Sequence, residues 1–193
     1  MANYLKSVVE VHGNEEVIKK LDELLEKAND GEITTFAQTF YDNVEVGEGG
    51  GIMYAWALDN LGSKWTYMED ITGDGSFILT SAWYPPTKFF IHLYEMLVET
   101  DPDVFIEVQY EDEGYSPIGA IVIKKDKDGT PCIWVEEDDD MEDPTEDMDW
   151  DDEGYDEAQM EFMDSIYERQ QEMLQECHDL INTDGEPIDG YEG

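Results

Sequence analysis

The stretch Asp149-Trp-Asp151-Asp-Glu153-Gly154 opens like a calcium-binding loop, with oxygen donors at its first, third and fifth positions and glycine at its sixth. Its twelfth position is Met160, and Glu161 falls one residue late. No helix of apolar periodicity leads into it, so weak general attraction of divalent cations is expected and a specific calcium site is not. His12, His92 and His178 are far apart in the chain, and Cys132 and Cys177 lack CxxC spacing. Neither a zinc set nor a Cys-His nucleophile pair can be read from them. With 50 acids available, some pair of carboxylates will stand at glycosidase or two-metal distances by composition alone, so such pairs carry no information. The expectation is a protein without catalytic residues, metal site or cofactor.

What remains is charge, in a distinctive place. Residues 136 to 157, EEDDDMEDPTEDMDWDDEGYDE, hold fifteen carboxylates in twenty-two positions and no cation, yet include Trp150 and Tyr155. Further on, Glu157, Glu161, Asp164, Glu168, Glu172, Glu176 and Asp179 recur at spacings of three and four, which places seven carboxylates on one face of a helix. Like charges so spaced destabilise a helix by about 0.2–0.5 kcal/mol per pair, so the six successive pairs cost about 1–3 kcal/mol. Selection for stability alone would interleave lysines. The stripe offers one charge per ~5.5 Å over ~33 Å of helix, against one phosphate per ~3.4 Å in a DNA strand and ~1.7 Å in a duplex. Combined with the preceding acidic run, or doubled in a homodimer, it approaches the density of DNA.

The totals agree with a binding role. A formal charge of -40, from 50 acids and 10 bases, repels phosphate backbones and anionic membranes and steers basic proteins. Direct nucleic-acid binding and membrane association are therefore not expected. No apolar run reaches the ~18 residues of a membrane span, the N-terminus does not look like a secretory signal, and the sparse cysteines suit a reducing compartment; a soluble, cytoplasmic protein is the expectation. Residues 1 to 135 have 25 acids and 9 bases, whereas residues 136 to 193 have 25 acids and 1 base. This contrast argues against uniform salt adaptation. It divides the chain into a domain over 1–135 and an acidic segment with an amphipathic helix over 136–193.

The elements that must position these groups follow from periodicity. Residues 3–12 alternate as a strand. Asn14 then caps a helix through Val17, Ile18, Leu21, Leu24 and Leu25, stopped at Asn29-Asp30-Gly31. Residues 31–51 read as a loop. Ile52–Leu58 and Phe77–Trp83 read as an antiparallel strand pair, with ITGDGS as the turn before the second. Pro85-Pro86 starts a helix carrying Phe89, Phe90, Leu93, Met96 and Leu97. Strands are expected at 104–110, 118–125 and 132–135. A last helix begins at a capping box, Asp156 to Gln159, and runs to about Asn182–Gly185, with a frayed tail beyond. The order is βαββαβ with extra strands, an α+β sandwich of two helices on an antiparallel sheet.

Three segments in the middle of the chain resemble the YubB-like proteins, a phage and plasmid accessory family with a ferredoxin-like domain. Trp56-Ala-Leu-Asp-Asn60-Leu-Gly62-Ser63-Lys64-Trp65 is similar to that family's W-x-x-x-N-W-G-T-K-W segment, departing at Leu61 and Ser63. Thr80-Ser-Ala-Trp83-Tyr-Pro85-Pro86 is similar to its T-A-W-x-P-P segment, and Glu113-Gly114-Tyr115 to Gly119 to its following turn and strand. The likeness covers about residues 50 to 125. It implies a ferredoxin-like fold and a mobile-element (viral or plasmid) origin, and no reaction. Trp56, Trp65, Trp83 and the two prolines are expected to fix a strand, a turn and a helix start as buried anchors, with Asn60 and Lys64 the better candidates for contact.

The reading that joins these observations is a DNA-mimicking inhibitor of a basic, nucleic-acid-binding host protein, such as a restriction, CRISPR or repair factor. Its contact residues would be Asp138, Asp139, Asp140, Glu142, Asp143, Asp147, Asp149, Trp150, Asp151, Asp152, Glu157, Glu161, Asp164, Glu168 and Glu172. Two alternatives stand beside it. The acidic third is a solubilising appendage, or it is an interaction module anchored on Trp150 and Tyr155.

Overall fold

A computed structural model of the chain describes residues 3–29, 35–141, 143–145, 148–152 and 154–189. Strand β1 (Tyr4–His12) turns Leu5, Ser7, Val9 and Val11 to one side and its even positions to the other. Helix α1 (Glu15–Ala28) follows. The Asn14 side chain accepts from the Val17 amide at 3.0 Å, Glu15 and Glu16 sit at the positive end of the helix dipole and Lys27 at the negative end. Val17, Leu21 and Leu25 form its buried stripe. Asp30 and Gly31 lie outside the described residues.

The next segment departs from expectation. Ala37–Phe40 forms one helical turn, α2, with Ala37 and Phe40 buried, within the stretch read as a loop. Residues 52–58 do not form a strand: Tyr54–Asn60 is a helix, α3. Trp56, Ala57 and Leu61 are buried there, a spacing that makes one face of a helix and cannot make one face of a strand. The strand that pairs with the 77–83 segment is instead β2 (Lys64–Gly73), joined to β3 (Ser76–Ala82). Asp74 and Gly75, both at positive φ, form the two-residue hairpin turn for which Asp-Gly is suited. β2 is an edge strand whose ladder is interrupted by register shifts, and that irregularity, with its acidic residues, hides it from a period-two reading.

Helix α4 (Thr87–Val98) starts directly after Pro86 and buries Phe89, Phe90, Leu93, Tyr94 and Leu97. Strands β4 (Phe105–Asp112), β5 (Ile118–Lys125) and β6 (Pro131–Asp138) form successive hairpins. Helix α5 (Tyr155–Asp184) is 30 residues long, and the chain returns as β7 (Glu186–Pro187), a two-residue strand paired with β6. The tail thus adds to the sheet rather than fraying at 186–187. The helix N-cap is Gly154, in a left-handed conformation, so Asp156 lies in the first turn and the capping box does not form.

The fold is α+β, with five helices among the described residues and a seven-stranded antiparallel sheet in the order β2-β3-β1-β4-β5-β6-β7. Two hydrophobic cores lie on its two faces. Leu5, Val9, Phe77, Leu79, Ile106, Val108, Ile121 and Ile123 pack with α1 and α4 on one face. Ile118, Ala120, Val122 and Cys132 pack with Phe162, Ile166, Met173, Leu174, Cys177 and Ile181 of α5 on the other. β5 is therefore buried on both sides, which accounts for its unbroken apolar run IGAIVI. Helix α5 covers the β4–β6 half of its face and leaves the even positions of β1 more open.

Candidate functional site

The buried stripe of α5 determines what its outer face presents. With Phe162, Ile166, Gln170, Met173, Leu174, Cys177 and Ile181 held inward, Glu157, Glu161, Asp164, Glu168, Glu172, Glu176 and Asp179 are all exposed. The carboxylates stand on a helix fixed along its length by a hydrophobic face and by polar ties. Gln170 Nε2 donates to the Tyr110 carbonyl at 3.0 Å. Burial raises the Cys177 thiol to about 12, so that cysteine is inert packing.

The preceding segment is partly spent on its own structure. Asp138 accepts from the Asp140 amide at 3.0 Å and from Arg169 Nε at 3.1 Å, and these two bonds hold its carboxyl below the usual range, the amide first. Arg169, the one arginine or lysine in this third of the chain, also reaches Glu172 and Glu176 at 3.4 and 3.6 Å. The Asp143 carboxylate accepts from the Thr145 amide and hydroxyl at 2.8 and 2.7 Å. Asp139, Asp140, Asp149, Asp151 and Asp152 are exposed, and Trp150 is 82% exposed. Glu142, Asp147 and Glu153 lie outside the described residues.

The first two segments that carry the family resemblance meet at one corner, formed by α3, the start of β2 and the β3–α4 junction, while Glu113 to Gly119 spans the β4–β5 connection and the start of β5. Trp56 is buried, but Trp65 and Trp83 are 54% and 47% exposed, so the expectation of three buried anchors holds for Trp56 alone. Both exposed tryptophans have positive φ, 53° and 71°, an uncommon backbone state for a bulky residue. Lys64 is buried beneath them, its Nζ 3.1 Å from the centroid of the Trp83 ring, 4.7 Å from Trp65 and 5.5 Å from Tyr54. Asn60, half-buried, donates to the Trp56 carbonyl at 2.9 Å, and Lys64 is not offered outward. Gly62 at φ 82° lies against Lys88, while Pro85 and the N-cap Pro86 lead into α4.

A polar cluster that sequence spacing does not reveal lies on the α5 side of the sheet. Glu10 on β1 stands directly opposite Glu107 on β4, and His12 opposite Phe105. His12 Nε2 is 2.8 Å from one Glu107 oxygen, and His178 Nε2, from α5, is 2.5 Å from the other. Lys124 Nζ lies 2.8 Å from His178 Nδ1 and 3.0 Å from its carbonyl. An ammonium has only hydrogens to give, so Nδ1 accepts and the His178 proton is on Nε2, facing Glu107. Phe105 stacks on His12 at 4.4 Å and meets His178 edge-on at 5.6 Å. Beside the cluster, a groove of about 200 Å³ runs between α5 and the sheet, lined by Val8, Glu10, Glu107, Gln109, Tyr167 and Gln171 among others. The signal available in the sequence was the alternation of Lys6, Val8, Glu10 and His12 along one face of β1; the pairing of β1 with β4 was not readable.

The Glu107 carboxyl is held below its ordinary value of 4.5, chiefly by the hydrogen bond from His178, against the opposing effect of burial. A depressed folded-state value means that ionised Glu107 adds stability above the ordinary glutamate range, and that this contribution is lost as pH falls through the folded value. With chelator present, Glu107→Gln is expected to be about 1–2 kcal/mol less stable than the parent near pH 7, from the loss of a charge-assisted hydrogen bond. In urea unfolding that difference should shrink progressively as the pH is lowered from 7 through the folded value.

No family model matches the chain, and comparisons with curated proteins and with solved structures found no match. Among the described residues no helix is long and apolar enough to cross a membrane.

Proposed function

We propose that the chain is an acidic binding protein of phage or plasmid type that occupies the nucleic-acid-binding surface of a basic host protein in the cytoplasm, acting as a DNA mimic and not as an enzyme. The observation that carries this reading is the exposed carboxylate face of α5, on a helix whose opposite face is locked into the second core. A fixed array of like charges is pre-organised, so binding does not lose the ordering entropy that a mobile acidic tail would. The ferredoxin-like reading is supported by the order β2-β3-β1-β4 of the first four strands, with α1 and α4 on the same face. That arrangement agrees with the resemblance to the YubB-like family.

The experiment captures proteins from a bacterial lysate on the full-length chain and elutes with duplex DNA or with salt. Truncation at residue 135 is unsuitable, because it removes the α5 side of a core shared with β5 and β6. The expected result is a DNA-binding protein released by duplex DNA, with affinity falling steeply as salt rises. A second reading, an interaction module anchored by aromatic side chains, is favoured by the exposure of Trp150, Trp65 and Trp83. Under it, capture is indifferent to DNA and is lost on Trp150→Ala or Trp65→Ala. That outcome overturns mimicry.

A further inference from the structure

We propose that Glu10, His12 and Glu107 form a binding site for a divalent first-row transition cation of the zinc, cobalt or nickel kind. The three donor groups lie within 4.8 Å of one another. His12 Nε2 stands 2.8 Å from Glu107 Oε2 and 3.8 Å from Glu10 Oε2. A metal about 2.0–2.2 Å from each donor separates neighbouring donors by about 3.0–3.5 Å, so side-chain adjustments that close gaps of at most about 1–2 Å bring all three onto one ion. The backbone already holds the positions: Glu10 and His12 alternate onto the same face of β1, and Glu107 is the cross-strand partner of Glu10.

Two features separate this cluster from a chance grouping of acids. Glu10 and Glu107 are like charges placed directly opposite one another, an arrangement that destabilises a sheet unless a cation lies between them; among the described residues His12 is the one basic group that both approach. Glu107 is also oriented from behind by His178, which Lys124 fixes in its turn. A ligand carboxylate held by outer hydrogen bonds is a recurrent feature of metal sites. While Lys124 donates to Nδ1, His178 Nε2 keeps its proton, so His178 is a positioning residue and not a ligand. One imidazole with two carboxylates favours the transition ions over magnesium or calcium. The side chains of Glu10 and His12 are open to solvent, which leaves room for water in the remaining coordination positions.

The test titrates zinc chloride into the full chain in a large excess of magnesium chloride, which occupies the general carboxylate surface, and follows binding by calorimetry. Cobalt chloride serves as a spectroscopic probe. The expected result is one saturable zinc site, weakened at least tenfold by His12→Gln and by Glu107→Gln. It should be weakened about tenfold by His178→Gln and left in place by Glu26→Gln on the exposed face of α1. Bound cobalt should give visible absorption, and the His12 imidazole nitrogens should shift in NMR spectra of the unmodified chain. Zinc binding that survives both ligand substitutions, that magnesium abolishes, or that leaves the His12 imidazole unperturbed overturns the proposal. The NMR readout decides the matter even where a substitution prevents folding.

Discussion

Gly119→Ala is expected to destabilise the protein by about 1–3 kcal/mol or more through overpacking alone, read as a lower midpoint in urea or thermal unfolding. Gly119 faces Tyr110 across the β4–β5 ladder, and a Cβ placed there would strike the Tyr110 ring carbon Cζ and hydroxyl and come within 2.7 Å of the Glu136 carbonyl. The ring cannot easily move aside. Tyr110 is fully buried and its hydroxyl donates to Glu137 at 2.8 Å; burial first, and then this bond, push its ionisation far above the ordinary value. Glycine therefore serves close packing at this position, which is an ordinary strand residue in its dihedrals. The clash predicts coupling: in a Tyr110→Leu background, Gly119→Ala should cost markedly less than in the parent. Equal costs in the two backgrounds would show that the ring is not the obstacle.

The elements that the sequence makes legible are those with one strong period. The α1 and α4 stripes, the alternation of β1 and β4, and the long α5 face all follow from residue spacing, and the second core is foreshadowed by the unbroken apolar run of β5. The failures have a common cause. In Tyr54–Asn60 the aromatic and branched residues suggest a strand, but the alanines and the inward face made by Trp56, Ala57 and Leu61 impose a helix. In β2 an edge position and register shifts erase the alternation that would have revealed it. Propensity is a weak prior where tertiary contacts decide.

The sites divide in the same way. The α5 carboxylate face is a local property of one helix and is visible in the spacing alone. The aromatic corner requires two segments about twenty residues apart to meet, and the positive φ that turns Trp65 and Trp83 outward has no sequence signal in a tryptophan. The Glu10, His12, Glu107 and His178 cluster draws on β1, β4 and α5. Glu10 meets Glu107 through strand register, and His178, 71 residues beyond Glu107, joins through the docking of α5. Separation in sequence was no guide to separation in space.

Neutralising Glu161, Asp164 and Glu168 together, as Glu161→Gln, Asp164→Asn and Glu168→Gln, is expected to move stability and binding in opposite directions. These residues take part in four of the like-charge pairs along the outer face of α5, and removing those repulsions should stabilise the protein by about 1–2 kcal/mol. All three side chains are exposed, so no buried contact is lost. They lie beyond the first turn, where Asp156 and Glu157 continue to favour the positive end of the helix dipole. The Arg169 ties to Asp138, Glu172 and Glu176 are untouched. Under the proposed function, the same change should slow association with the captured basic protein by about tenfold or more at low salt, and flatten the dependence of affinity on salt. Denaturation and binding kinetics on one variant therefore separate the competing accounts of the acidic face. A solubilising appendage predicts a gain in stability with no change in partner binding. A surface retained for contact predicts the same gain in stability together with slower partner association.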